Sequence, residues 1–132
     1  MNLFENAKNT NKQGDMGLGV AIGSFVKCGM TVSIPLTDSQ DYDLIVDVDG
    51  MLDRVQVKTT SFKAKSGNYV VSLSVKGGNR TSKGTVKAFD STKVDSVFAT
   101  TSDGTKYWIP CTSINSAYNI TLCEKYAEFI VD

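Results

Sequence analysis

Residues 42–59 read Tyr42-Asp43-Leu44-Ile45-Val46-Asp47-Val48-Asp49-Gly50-Met51-Leu52-Asp53-Arg54-Val55-Gln56-Val57-Lys58-Thr59. Residues 42–48 are dense in branched apolar side chains and predict a strand. Residues 52–59 predict a second strand, with Val55 and Val57 facing one way and Arg54, Gln56 and Lys58 the other. Between them, Asp49-Gly50 tolerates the left-handed backbone of a two-residue hairpin turn. The stretch is therefore read as a β-hairpin. Asp43 starts one strand, and its neighbour carries Gln56 and Lys58 on a shared face.

Upstream, residues 30–35 alternate as a short strand that Pro35 ends, and residues 37–41 form a polar loop. Before them, Leu18, Ile22, Phe25 and Val26 recur on one face of an amphipathic helix. Asp15 suits its N-cap or first turn, and Cys28-Gly29 suits its end. Residues 1–12 are polar and Asn-rich and read as a flexible arm, with a short helix start over residues 1–13 as the alternative.

Downstream, Ser66-Gly67-Asn68 marks a turn and residues 69–75 a further strand. Residues 76–87 are basic and glycine-rich and predict a flexible loop. Residues 94–100 and 106–110 flank Asp103-Gly104 as a second hairpin, with Tyr107 and Trp108 read as core or interface residues. Residues 114–132 fit either short strands or a short helix. No repeat or linker divides the chain, so residues 1–132 are expected to form a single α/β domain, a helix laid on a central sheet.

Composition narrows the chemistry. At 132 residues and 41% hydrophobic, the chain can bury a core without disulfides or a structural metal. It has no histidine, which removes Ser-His-Asp, Cys-His and His-metal chemistries. Cys28, Cys111 and Cys123 are widely spaced and form no CxxC pair, so they suit free thiols in a reducing compartment. The first fifteen residues hold no apolar signal segment, and a soluble cytoplasmic protein is expected.

Net charge is zero but unevenly placed. From Arg54 to Lys87 there are eight basic and no acidic residues; the remainder holds six basic and fourteen acidic ones. Such asymmetry suits a face turned to a polyanion. Lys63, Lys65, Lys76, Arg80, Lys83 and Lys87 are candidate phosphate contacts, and Asn79 or Arg80 can reach base edges. A solubilising loop would have the same composition.

The hairpin gives this charge a chemistry. A carboxylate, an amide oxygen and an ammonium that converge suit phosphodiester hydrolysis. Asp43 and the Gln56 amide oxygen can hold a hard cation such as Mg²⁺, with the backbone carbonyl of Val57 as a third ligand. Such a cation polarises phosphate and acidifies a bound water. Lys58 can orient that water and stabilise developing charge. The same spacing also suits the solvated side of a plain hairpin.

Several ordered pieces carry a family resemblance. They are Gly14-Asp15-Met16-Gly17, Gly29-Met30-Thr31-Val32, Ile34-Pro35-Leu36, Tyr42-Asp43-Leu44-Ile45-Val46-Asp47 and Arg54-Val55-Gln56-Val57-Lys58-Thr59, followed by Val94-Asp95-Ser96-Val97-Phe98 and Tyr107-Trp108-Ile109-Pro110. Together they resemble the PD-(D/E)xK nucleases, in particular the small branch of group I intron-associated and homing endonucleases. The resemblance implies a restriction-endonuclease-like fold with a mixed sheet. It implies a Mg²⁺-dependent endonuclease acting on double-stranded DNA, with Mn²⁺ able to substitute, and a homodimer or homotetramer. Asp43 would be the motif aspartate, Gln56 would stand at the D/E position, and Lys58 would be the motif lysine.

One position departs from the pattern. Where the family usually has a glutamate on the first helix, this chain has Leu18, which cannot bind metal. Asp15 lies one turn earlier on nearly the same face and is a weaker candidate ligand. A Holliday-junction or branched-DNA resolvase, and a DNA-binding relative with weakened catalysis, are the alternatives carried forward.

Overall fold

The computed structural model describes residues 1–76, 86–116 and 118–132, with 75, 76, 86 and 87 as backbone only. The chain opens with α1 (Thr10–Lys27), then β1 (Thr31–Ser33), β2 (Leu44–Val48) and β3 (Met51–Thr60). Next come β4 (Val70–Ser72), β5 (Val75–Lys76) and β6 (Val86–Lys87). β7 (Ser96–Thr101) and β8 (Lys106–Pro110) form the second expected hairpin. β9 (Asn119–Thr121) and β10 (Ile130–Val131) complete the chain, with short 3-10 helices at Cys111–Ser113 and Glu124–Phe129.

Six strands form a mixed sheet in the order β1-β2-β3-β7-β8-β10. Among the described strands only β3 and β7 run parallel, from Val55 beside Ser96 to Thr60 beside Thr101. A parallel pair needs a long crossover, most often through a helix. Here β4 lies in that crossover and pairs instead with β9 in a separate two-stranded sheet. The strand expected over residues 69–75 is thus shorter and stands outside the main sheet.

Alternate residues of β7 face opposite cores. Phe98 packs with Ala21, Phe25, Leu44, Val46 and Val55 beneath α1. Val97 and Ala99 pack with Val71, Leu73, Ile109, Ile120, Leu122 and Tyr126 beneath the small sheet and the last 3-10 helix. Phe25 meets Phe98 and Trp108 edge-on at centroid distances of 5.1 and 4.9 Å. Such pairs add about 0.5–1.5 kcal/mol each beyond area burial.

Turn chemistry follows the sequence closely. Asp49 and Gly50 both adopt positive φ, 52° and 88°, as a two-residue hairpin requires. Asp47 Oδ1 accepts the Gly50 N–H, so this aspartate serves the turn. Gly29, at φ 83°, ends α1.

The helix differs from expectation in two ways. Its N-cap is Asn9, whose side chain accepts the Lys12 N–H, so Asp15 lies well inside the helix and is no cap. Its buried stripe is Gly17, Ala21, Ser24 and Phe25, whereas Val26 is 55% exposed. Close approach explains the shift: a Cβ at position 17 would collide with Cγ2 of Thr59 on β3. Small residues therefore line the contact. The expected loose arm is also tied down, because Phe4 is only 4% exposed and Leu3 N–H donates to Ser102 O at 2.7 Å.

Candidate active site

β2 begins where Leu44 meets Val55, so the next part of β3 has no β2 partner on that side. Along β3 the carbonyls of Arg54 and Thr60 accept hydrogen bonds from Asp95 and Ser102, the β7 side. Val55 and Val57 point their backbone groups the other way, into the place β2 vacates. Asp43 fills it. Its N–H donates to Val55 O at 2.8 Å and its Oδ2 accepts the Val57 N–H at 2.8 Å. The Val57 carbonyl points to this same edge by strand geometry.

Asp43 keeps an exposed flank, yet the protein around its carboxyl withdraws water. Burial raises its pKa above the ordinary 3.8, with the Val57 N–H and the charge of Lys58 acting in the opposite sense. Lys58 is half-buried. Desolvation lowers its pKa from the ordinary 10.5, while the Asp43 charge pulls it back up. The two side chains therefore feel one another. Lys58 Nζ donates to Ser74 O at 3.4 Å, which places it towards the face covered by β4.

Gln56 shares that face and is 5% exposed. Its Nε2 donates to the main-chain carbonyl of Asp41 at 3.3 Å. Its Oε1 is buried and has no hydrogen-bond partner among the described residues. A buried amide oxygen left unpaired costs about 1–3 kcal/mol. That cost suits an atom whose partner is a cation or a substrate donor.

A cleft of about 400 Å³ runs between the sheet edge and α1, lined by Thr10, Asn11, Gly14, Asp15, Leu18, Asp43 and Val57. Asp15 and Leu18 thus line the same cleft as Asp43, with Asp15 exposed and Leu18 half-buried. Gln56 and Lys58 approach the same edge from the other face of β3. Among the described residues no three His, Cys, Asp or Glu side chains cluster. A cation here would draw on Asp43, the Gln56 amide oxygen and the Val57 carbonyl, and these hard oxygen donors fit Mg²⁺.

The basic segment is only partly visible. Lys63 and Lys65 are exposed, and Lys63 Nζ sits 4.9 Å from the centre of the Tyr69 ring. Lys76 and Lys87 occupy the paired β5 and β6, described as backbone. Asn79, Arg80 and Lys83 lie outside the described residues. Arg54 is already engaged: Nε and Nη2 donate to the two oxygens of Asp95 at 3.0 and 3.1 Å.

Residue patterns did not indicate Thr10, Asn11 or the carbonyls of Asp41 and Ser74. Asn9-Thr10 was the available signal for an earlier helix start. Main-chain carbonyls carry no residue-type signal at all.

Residues 8–128 match the model of the PD-(D/E)XK endonuclease family. The chain belongs to this family. Among solved structures it is similar to a bacterial homing endonuclease, I-Ssp6803I, with 32% identity and a TM-score of 0.74 over 88% of this chain and 79% of that one. No curated protein sequence matches it. The mixed sheet with α1 against it is thus the α/β fold of a PD-(D/E)XK endonuclease. Members of this family generally use divalent metals. No helix among the described residues is long and apolar enough to cross a membrane.

Proposed function

We propose that this PD-(D/E)XK protein is a Mg²⁺-dependent endonuclease that hydrolyses phosphodiester bonds of double-stranded DNA, in the manner of a homing endonuclease. The observation that carries the reading is the buried Oε1 of Gln56, unpaired among the described residues, on the strand whose Val57 N–H holds a desolvated Asp43 that senses Lys58. Asp43, Gln56 Oε1 and the Val57 carbonyl would hold the cation, with Mn²⁺ able to replace Mg²⁺. When bound, such an ion polarises the phosphate and lowers the pKa of a water.

The side chains do the rest. Asp43 is locked by the Val57 N–H, which leaves its second oxygen for the ion. Lys58 is held by the Ser74 carbonyl close to the same edge. Its lowered pKa makes a proton easier to exchange with the attacking water. In its charged form it stabilises the pentavalent phosphate. Lys63, Lys65, Lys76, Asn79, Arg80, Lys83 and Lys87 would grip the duplex backbone. One site per chain cuts one strand, so a double-strand break calls for at least two copies related by symmetry.

A plasmid-nicking assay in Mg²⁺ and in EDTA tests this. Cleavage is expected in Mg²⁺ alone. Asp43→Ala and Lys58→Ala are expected to lose at least ~10²-fold in rate, with affinity for the duplex within about twofold. Wild-type rates from both variants would remove the mechanism.

One observation favours a second reading. Leu18 lines the cleft where the family usually places a glutamate, so the chain is alternatively a DNA-binding relative with weakened catalysis. Mg²⁺-dependent turnover by the wild type decides between them.

A further inference from the structure

Gln56 occupies the motif position where an acid is the family norm, and its surroundings explain the amide. The side chain is 5% exposed and its Nε2 donates to the Asp41 carbonyl at 3.3 Å. A carbonyl can only accept, so it admits the NH₂ end of an amide and repels the oxygen end. Oε1 is thereby turned away from Asp41, into a buried position where it has no hydrogen-bond partner among the described residues.

We propose that the main-chain carbonyl of Asp41 is a positioning group. It selects glutamine over glutamate at position 56 and presents Oε1 as a neutral ligand for a divalent cation. The cation part rests on the nuclease reading above; the choice of glutamine rests on the Asp41 contact alone.

A carboxylate at position 56 has no hydrogen to give. One of its oxygens would face Asp41 O in a place almost closed to water. The same substitution would add a buried negative charge next to the strand position that Asp43 occupies. Without a metal ion, only the Lys58 ammonium on the same strand face or the uptake of a proton offsets these costs, and each does so in part. With a cation, much of the charge is compensated. Glutamate would thus tie the fold of the site to its metal, whereas glutamine holds the ligand atom in place before metal arrives.

The test is thermal unfolding of the full chain with EDTA or Mn²⁺, joined to Mn²⁺ titration calorimetry, for wild type, Gln56→Glu and Gln56→Met. In EDTA, Gln56→Glu is expected to melt about 5–10 °C below wild type. Mn²⁺ should recover most of that loss, giving a larger metal-induced rise than in wild type. Gln56→Met keeps the volume without donor or acceptor. It should melt near wild type in EDTA and bind Mn²⁺ at least ~10-fold more weakly. A Gln56→Glu protein as stable as wild type in EDTA would overturn the role of Asp41. Unchanged Mn²⁺ affinity in Gln56→Met would overturn the role of Oε1. Should Gln56→Glu fold only with Mn²⁺, the proposal stands in its strongest form. Should it fold in neither condition, the Gln56→Met titration decides. Absence of Mn²⁺ binding by wild type would instead remove the nuclease reading and the ligand role with it. The EDTA comparison would still decide the Asp41 contact.

Discussion

Asp43 carries its charge at a cost to the fold. Its carboxyl pKa lies above 3.8 because burial outweighs the help of the Val57 N–H and Lys58. Between 3.8 and that raised value the folded state binds more protons than the unfolded chain, so the contribution of Asp43 to stability falls as pH rises through the window. Asparagine keeps an acceptor for Val57 and removes the charge. Asp43→Asn is therefore expected to melt a few degrees above wild type at pH 7 in EDTA while losing cleavage. Melting curves across pH 3–8 check the sign. A lower melting temperature at pH 7 would mean that the Asp43–Lys58 attraction dominates. Leu18 is the complementary case. It lines the Asp43 cleft, so Leu18→Glu adds a fourth hard oxygen donor to Asp43, Gln56 and the Val57 carbonyl. Mn²⁺ affinity should rise by roughly tenfold, about 1.4 kcal/mol. A folded Leu18→Glu variant with unchanged affinity would place that side chain outside the ion's reach.

At the scale of elements, the site depends on how α1 sits on β3. The two approach so closely that Gly17 meets Thr59 without room for a methyl group. Gly17→Ala is expected to cost roughly 1–3 kcal/mol from overpacking, despite alanine's better helix propensity. Thr59→Ser removes the obstructing methyl and should restore part of the loss in the double variant. Additive effects of the two substitutions, measured by denaturant unfolding, would show that they do not share this contact. The helix was legible in the sequence as a period of apolar residues, but its contact line was not. Periodicity ranks residues by apolarity. Packing at short range selected Gly17, Ala21 and Ser24 by size, and left Val26 in solvent. The same limit applies to the helix start. Asp15 and Asn9 are both good caps, and only the path of residues 1–9, anchored through buried Phe4, chose between them.

The whole molecule carries no net charge, yet its basic residues are concentrated between Arg54 and Lys87. Part of that concentration is already paired at the surface, since Arg54 on β3 meets Asp95 just before β7. Lys63 and Lys65, exposed beyond the end of β3, remain available to a duplex. The plot of log affinity against log salt should lose about 0.9 in slope for each true phosphate contact removed. For Lys63→Ala with Lys65→Ala a drop of about 1.8 is expected, with affinity falling alike across unrelated sequences. An unchanged slope would assign both lysines to the solvated surface. The sheet brings the two halves of the chain together here: β3 carries Gln56, Val57 and Lys58, and β7 locks it from the far side.

Local chemistry settled the hairpins, because Asp49-Gly50 and Asp103-Gly104 meet a requirement that lies within two residues. Strand alternation likewise put Gln56 and Lys58 on one face. The absence of histidine limited the available chemistry before any fold was known. The start of β2 only after Asp43, the capture of the Val57 N–H by Asp43, and the carbonyls of Asp41 and Ser74 emerge only in three dimensions. Each is a contact between main-chain atoms or across many residues, and every amino acid offers the same carbonyl. Which one faces Gln56 or Lys58 is decided by the register and twist of packed strands, and residue type leaves no mark of it.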